Sequence, residues 1–275
     1  MVCLGTVADV MPLQGENRVF VARGLESLRH TKRPGIAALM EETGCAPDSV
    51  SSSAIGFMLA PRINAAGRMG QIDLAVELFL TQDPIRAVAV ARALCELNRQ
   101  RQAVESEIYN QAVSMLPAGQ PPEAIVLADE SWHQGVVGIV ASRIAEEYAC
   151  PAFLICLDGE HGKASSRSHG GFNLFASLTT LSSLLESYGG HELAAGLSIQ
   201  RGSINYFTTL MNQYARERLN EDDLAVHLDA DCELTMGDLT LSLAEELTLM
   251  EPFGVANPVP QFVLRDATLT RIIPM

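Results

Sequence analysis

Residues 187–196 read SYGGHELAAG, so Gly189 and Gly190 stand directly before His191. An imidazole behind two glycines suits a backbone that comes close to a ligand while the ring donates to it. The plainer alternative is a turn that ends in a satisfied core histidine. A second stretch, APRINAAGRMG at 60–70, sets Arg62 and Arg68 among small residues. Small residues allow close approach, and guanidinium groups bind phosphate bidentately. The alternative there is a helix–loop junction with solvated arginines. A third, VCLGTVADV at 2–10, reads as a short buried strand that ends in Asp9. A carboxylate at the carboxyl end of such a strand is where α/β folds place metal ligands and catalytic groups. A turn or helix cap is the competing role for Asp9.

The elements that must position these residues follow from periodicity and punctuation. The chain has 275 residues, 48% of them hydrophobic, which is enough for about two domains with real cores. NRVFVARGLESLRH reads as an amphipathic helix, and RPGIAALMEETG as another with proline at its start and glycine at its end. From Pro84 to Leu116 a helical pattern runs without glycine or proline, with a polar middle at LNRQRQ. Such a segment is best placed as a bridge between two α/β lobes with a cleft between them. PAGQPPE at 117–123 then marks a boundary. Beyond it strands and helices alternate, predicting a second α/β domain over about 119–221. In it AIVLAD, PAFLICL, GKASSRS and GGHELAAGLSI read as strands, while GFNLFASLTTLSSLLES and INYFTTLMNQYARERLN read as helices. From 225 onward AVHLDADCEL is strand-like, LTLSLAEELTLM helical, and VLRDATLTRII the opening of a β-rich unit.

Composition restricts the function classes. No run of about 18 apolar residues predicts a membrane span, and the first residues lack the basic start of a signal peptide. Six scattered cysteines without a CxxC pair fit reduced thiols in the cytoplasm. The net charge of −14 argues against nucleic-acid binding over the whole surface. Basic residues nevertheless gather at APRINAAGRMG, LNRQRQ and GKASSRSHGG, which leaves room for a local basic track on an acidic body.

Taken in order, the motifs resemble the RecJ family of the DHH phosphoesterase superfamily. LGTVADVMPLQGENR resembles the fourth metal-site motif of the DHH domain, and APRINAAGRM its following arginine motif. ADESWHQGVVGIVASRIAEEY, KASSRS and GGHELAAG resemble successive signatures of the DHH-associated domain, and EPFGVANPVPQF a segment of an OB-like domain. The resemblance covers essentially the whole chain. It implies an α/β architecture in four parts. These are the end of a DHH domain (1–82), a connecting helix (83–118), a DHH-associated domain (119–222) and the start of an OB-like β domain (223–275). The implied activity is metal-dependent 5′-to-3′ hydrolysis of single-stranded DNA in repair and recombination. Asp9 would be a ligand of Mn²⁺ or Mg²⁺ and a catalytic residue with His191. Arg68, Ser165, Arg167, Gly189 and Gly190 would hold the phosphates of a strand bearing a 5′ end. His133 and His169 are further candidates along that strand. Trp132 could stack on a base or pack in the core. Implied protein partners are a single-stranded-DNA-binding protein or a helicase.

The family's first three metal motifs and its Asp-His-His triplet are missing, so the chain resembles a carboxyl-terminal portion and is expected to be inactive alone. The family usually has glycine where this chain has Ala164, Ser166 and Ala256. A non-catalytic module holding single-stranded DNA ends, another DHH-family phosphodiesterase, and an α/β domain without a nucleic-acid role are the alternatives.

Overall fold

A computed structural model describes residues 1–117, 119, 121–219, 228–268 and 270–271. The chain forms two compact units. One comprises Met1–Ala66, Gln71–Glu96 and His227–Met275; the other comprises Gly67–Gly70 and Leu97–Val226. Among the described residues no helix is long and apolar enough to cross a membrane.

The first unit departs from expectation at its start. Val2–Ala8 form a helix, α1, and Asp9 is its exposed C-cap residue, not the end of a strand. A short apolar run satisfies either period. Here the helical one wins, because Cys3, Leu4 and Thr6 turn inward while Val2 and Gly5 face out. Helices α2 (Gly15–Arg29) and α3 (Pro34–Thr43) follow as read. Helix α2 buries Val21, Leu25 and Leu28 at helical spacing, and α3 stops at Gly44 in the left-handed region (φ 71°).

Ser51 caps α4 (Ser52–Ala54), which runs through a π-helical turn, Ile55–Leu59, into α5 (Ala60–Arg68). Arg62 donates from Nη1 to the carbonyls of Phe57 (3.2 Å) and Met58 (2.9 Å). Those groups lie in the widened turn, so Arg62 serves the backbone. Helix α6 (Ile72–Leu80) then leads to α7, Pro84–Met115, whose 32 residues span about 48 Å. Residues to Glu96 belong to the first unit and those from Leu97 to the second.

The carboxyl-terminal residues complete the first unit with helix α11 (Leu241–Thr248) and a parallel pair, β6 (Cys232–Leu234) and β7 (Phe262–Leu264). Among the described residues these are its strands, so the first lobe is helical at its amino-terminal end. The strand-like reading at 225–227 lies outside the described residues, as does part of the one after 268.

EPFGVANP docks on the start of α2. Leu13 N donates to Val255 O (2.7 Å), Arg18 Nη2 donates to Met250 O (2.7 Å), and Asn257 Nδ2 bonds Met250 O and Pro252 O. Ala256 sits in the turn between Gly254 and Asn257 at φ 60°, where a Cβ is strained.

The second unit is built on a five-stranded mixed sheet, in the order β1-β2-β3-β5-β4. Its strands are β1 (Ile125–Asp129), β2 (Ala152–Asp158), β3 (His161–Arg167), β4 (Leu185–Gly190) and β5 (Ala194–Gln200). Strands β1 and β2 are parallel and joined through α8 (Val137–Glu147); the remaining pairs are antiparallel. The predicted strand at GGHELAAGLSI is thus two strands and a turn. The predicted helix before it ends early, at Thr180 of α9 (Leu174–Thr180), and its last residues enter β4. Leu185 is only half-buried and Glu186 to Gly190 are exposed, so apolar spacing gave no signal for this edge strand.

Each sheet face carries its own core. On one, α9 and α10 (Ile204–Arg216) cover Phe153, Ile155, Ala164, Leu197 and Ile199. Phe207 meets Phe153 edge-on at 5.7 Å. On the other, α8 and the end of α7 cover Ile125, Ala152 and Leu154. Trp132 belongs to this second core, with Nε1 donating to Gln111 Oε1 at 2.9 Å, and is no base-stacking platform. Ala164 and Ser166 both point into the first core, and the buried Ser166 hydroxyl finds no partner among the described residues.

Replacing Ala256 by glycine should stabilise the first unit. Left-handed backbone costs a non-glycine residue about 1–2 kcal/mol, less about 0.5–1 kcal/mol for the added freedom of the unfolded chain. A gain of about 0.5–1 kcal/mol in urea unfolding is expected; an unchanged or lowered midpoint would contradict the strain.

Candidate functional site

Strand β3 places the residues that matter most. Its burial alternates: Gly162, Ala164 and Ser166 are buried, while His161 and Lys163 are exposed and Ser165 and Arg167 half-buried. The period-2 pleat therefore turns Ser165 and Arg167 to the face that α8 partly covers. Gly138, in the first turn of α8, is packed against both. A Cβ there would lie 3.3 Å from Arg167 Nη2 and 3.4 Å from Ser165 Oγ. The guanidinium and hydroxyl thus sit at the amino-terminal end of an eleven-residue helix, whose dipole favours an anion. By register Arg167 stands opposite Ala152 and Ser165 opposite Leu154, at the amino-terminal half of β2.

Arg68 joins them. It is the last residue of α5, and the segment Gly67–Gly70 belongs to the same unit as β3. It does not come from the opposite lobe, as the sequence suggested. Its Nη1 donates to Gly135 O at 3.1 Å, in the loop before α8. Gly135 must be glycine, because a Cβ would overlap the carbonyl oxygen of Arg68. His133 Nδ1 accepts from Gly135 N at 3.1 Å, so the neutral ring carries its proton on Nε2. His133 is exposed and His169 half-buried.

The electrostatics are those of an anion site. Arg68 retains solvent access, yet crowding by protein atoms lowers its pKa, the charge of Arg101 lowers it further, and Glu105 opposes both. Arg167 is lowered by desolvation first and then by Arg68. Arg101 was not singled out in the sequence, where LNRQRQ reads as the polar middle of the long helix and as one of the basic clusters. It is buried on α7, donating to Glu105 and to Asn98 Oδ1 (2.9 Å). The signal was the spacing of Asn98, Arg101 and Glu105, three and four apart on one helix face. Among the described residues Arg101, Arg143, Arg201, Arg216 and Arg218 of this unit each lie within 4.0 Å of a glutamate, whereas Arg68 and Arg167 have none.

Gly189, Gly190 and His191 lie at the same end of the sheet as Arg167. Arg167 pairs with Ala194 on β5, and His191 N donates to Ala194 O at 2.8 Å. Two strand spacings separate Arg167 from His191, about 10 Å between backbones. All three hairpin residues are exposed. Their glycines do different work. Gly190 has φ 138°, and a Cβ would come within 2.5 Å of Ala194 O and Ala195 Cα. Gly189 opens onto free space. The hairpin tip is held by Ser168 N donating to Leu193 O (3.0 Å) and Leu174 N to Glu192 O (3.0 Å).

Asp9 belongs to the other unit. Among the described residues no three His, Cys, Asp or Glu side chains gather to hold a metal ion. The parallel strands β1 and β2 end in Asp129 and Asp158, and Asp129 is held by its own turn. Its Oδ1 accepts from Ser131 N (2.8 Å) and Oγ (2.6 Å), which holds its pKa below the usual carboxylate range. It serves as a turn cap.

With this geometry in place, the chain can be set beside known proteins. A family model described as the DHHA1 domain matches residues 121–217, and one described as the RecJ OB domain matches 230–275. The chain is 36% identical over 272 residues to the single-stranded-DNA-specific exonuclease RecJ of Bacillus subtilis, covering 98% of this chain and 35% of that protein. The chain belongs to the RecJ family. The Thermus thermophilus RecJ is likewise 36% identical over 268 residues, 97% of this chain and 38% of that one. Crystal structures of the Thermus thermophilus RecJ in complex with Mg²⁺ and with Mn²⁺ each match at a TM-score of 0.86. They are 34% and 35% identical and cover 94% and 95% of this chain, 40% and 39% of theirs. The chain thus spans somewhat over a third of the length of these RecJ relatives. Solved RecJ structures bind Mg²⁺ or Mn²⁺; the described residues here do not build such a centre by themselves.

Substitution by alanine should separate the two RecJ-motif glycines. Gly190→Ala should cost the second unit about 1–3 kcal/mol through strain and overlap, while Gly189→Ala should cost well under 1 kcal/mol. Thermal unfolding of both variants checks this, and equal losses would contradict the hairpin geometry.

Proposed function

We propose that this chain carries the substrate-holding part of a single-stranded-DNA exonuclease and that Arg68, Ser165 and Arg167 hold the 5′-terminal phosphate. One observation carries the reading. On a chain of net charge −14, two arginines are held in each other's field, at a helix amino-terminal end, without a carboxylate partner among the described residues. Like charges brought together and partly desolvated are unfavourable unless an anion is bound, and a phosphate monoester carries close to two negative charges above its second pKa of about 6. Ser165 Oγ adds a neutral donor, and the bidentate geometry of guanidinium suits the terminal oxygens. His191 stands at the same sheet end, two strand spacings from Arg167. RecJ relatives that act on single-stranded DNA support the polymer as ligand.

Hydrolysis in this family draws on Mn²⁺ or Mg²⁺, which would polarise the phosphodiester and activate water. Asp9 alone does not make a two-ion site, since such centres need several oxygen ligands converging on each ion. We infer that this chain by itself binds strand ends without cutting them.

Titration of 5′-phosphorylated and 5′-hydroxyl (dT)12 at low ionic strength tests the reading. The phosphorylated strand should bind tighter. Arg167→Ala should erase most of that preference, about 10- to 150-fold, as a charge-assisted hydrogen bond of about 1.5–3 kcal/mol implies. With Mn²⁺ added, both strands should stay intact. Equal affinity for the two ends, or mononucleotide release that depends on Asp9, would overturn the corresponding half.

A further inference from the structure

Lysine is scarce in this chain: Lys32 and Lys163 are the two it has. Lys163 lies on β3 two residues before Ser165, on the same face and exposed. No carboxylate pairs with it among the described residues, a property it shares in this unit with Arg68 and Arg167. Its cross-strand neighbours are Cys156 on β2 and Ser198 on β5, both uncharged. Two residues along a strand advance about 6.6–6.8 Å, comparable to the step between successive phosphates of an extended single strand. The floor between is low, because Gly196 stands opposite Ser165 and Gly189 opposite Gly196. One further step along β3 the field changes sign. His161 Nδ1 lies 3.0 Å from Glu186 Oε1, which also accepts from Gln200 Nε2.

We propose that Lys163 contacts the first internucleotide phosphate, one step beyond the terminal phosphate held at Ser165 and Arg167. The sheet face then engages two consecutive phosphates, and Glu186 turns the strand away before a third. This assignment rests on the reading of Arg167 as the 5′-phosphate site, and it gives that site a direction, from Arg167 toward His161 along β3.

A double-mutant cycle between protein and DNA tests it. The 275-residue chain and its Lys163→Gln variant are titrated with 5′-phosphorylated (dT)12. Each strand carries either natural linkages or one neutral methylphosphonate at the first internucleotide position. Either change alone should weaken binding about 5- to 20-fold, and the two together should cost little more than one, because they remove the same contact. The Lys163→Gln variant should also lower the log–log salt slope by about 0.7, while leaving the ratio of 5′-phosphate to 5′-hydroxyl binding unchanged. Moving the methylphosphonate to the fourth linkage should abolish the coupling. Additive losses, or coupling that persists at the fourth linkage, would overturn the assignment. Loss of end preference in Arg167→Ala reports separately on the terminal site. If that preference survives while the cycle still couples, the reading of Arg167 fails and Lys163 remains a phosphate contact.

Discussion

Arg68 and Arg167 lie in each other's field on a strongly acidic chain, and the backbone around them in the second unit holds them there. Two guanidiniums in one field need rigid support, because flexible side chains would separate or seek the nearest glutamate. The support is backbone. Gly135 lets the Arg68 carbonyl come close and offers its own carbonyl to the guanidinium. Gly138 lets α8 lie against Arg167 and Ser165, and Arg167 Nη1 is further tied to its neighbour's carbonyl, Ser166 O, at 2.8 Å. Each donation to a carbonyl holds the cation without neutralising it, which leaves its charge for an incoming anion.

Arg101 shows the opposite solution in the same neighbourhood. It is buried, so its charge must be balanced, and Glu105 and Asn98 on its own helix do so. Its remaining field still reaches Arg68. The long helix α7 therefore contributes more than length. From Leu97 onward it supplies both a fixed charge and, through Ile108 and Ala112, apolar packing to the core beneath α8. Sheet pairing sets the rest. Registering Arg167 against Ala194 brings the hairpin tip with His191 to the same end.

Much of this was legible from the residues. Helices α2, α3, α7 and α10 follow from spacing, from Pro34 and from Gly44, and strands β1, β2 and β3 from short apolar or alternating runs. The edge hairpin β4–β5 was not legible. An exposed edge strand buries little, so LLESYGG lacks the alternation by which strands are recognised. Val2–Ala8 misled for the converse reason: a seven-residue apolar run fits both periods, and the burial of Cys3 and Leu4 beside other helices decided for α1. Arg62 and Arg68 looked alike in sequence. One was claimed by the carbonyls of a π-helical turn that no local pattern announces.

The sequence by itself determined the family through motifs in register, the long helix, and the types of residue available to meet a phosphate. It also determined that Gly189 and Gly190 precede His191. Only the tertiary structure decided that Gly190 serves the hairpin corner while Gly189 leaves open space, and that Trp132 packs in the core. It alone drew Arg68, Arg101, Ser165 and Arg167 together across almost a hundred residues of chain. The physical reason is that periodicity reports which face of an element is buried, whereas charge proximity and Cβ clearance depend on which elements meet. Those contacts arise from long-range pairing of strands and helices, and no local pattern encodes them.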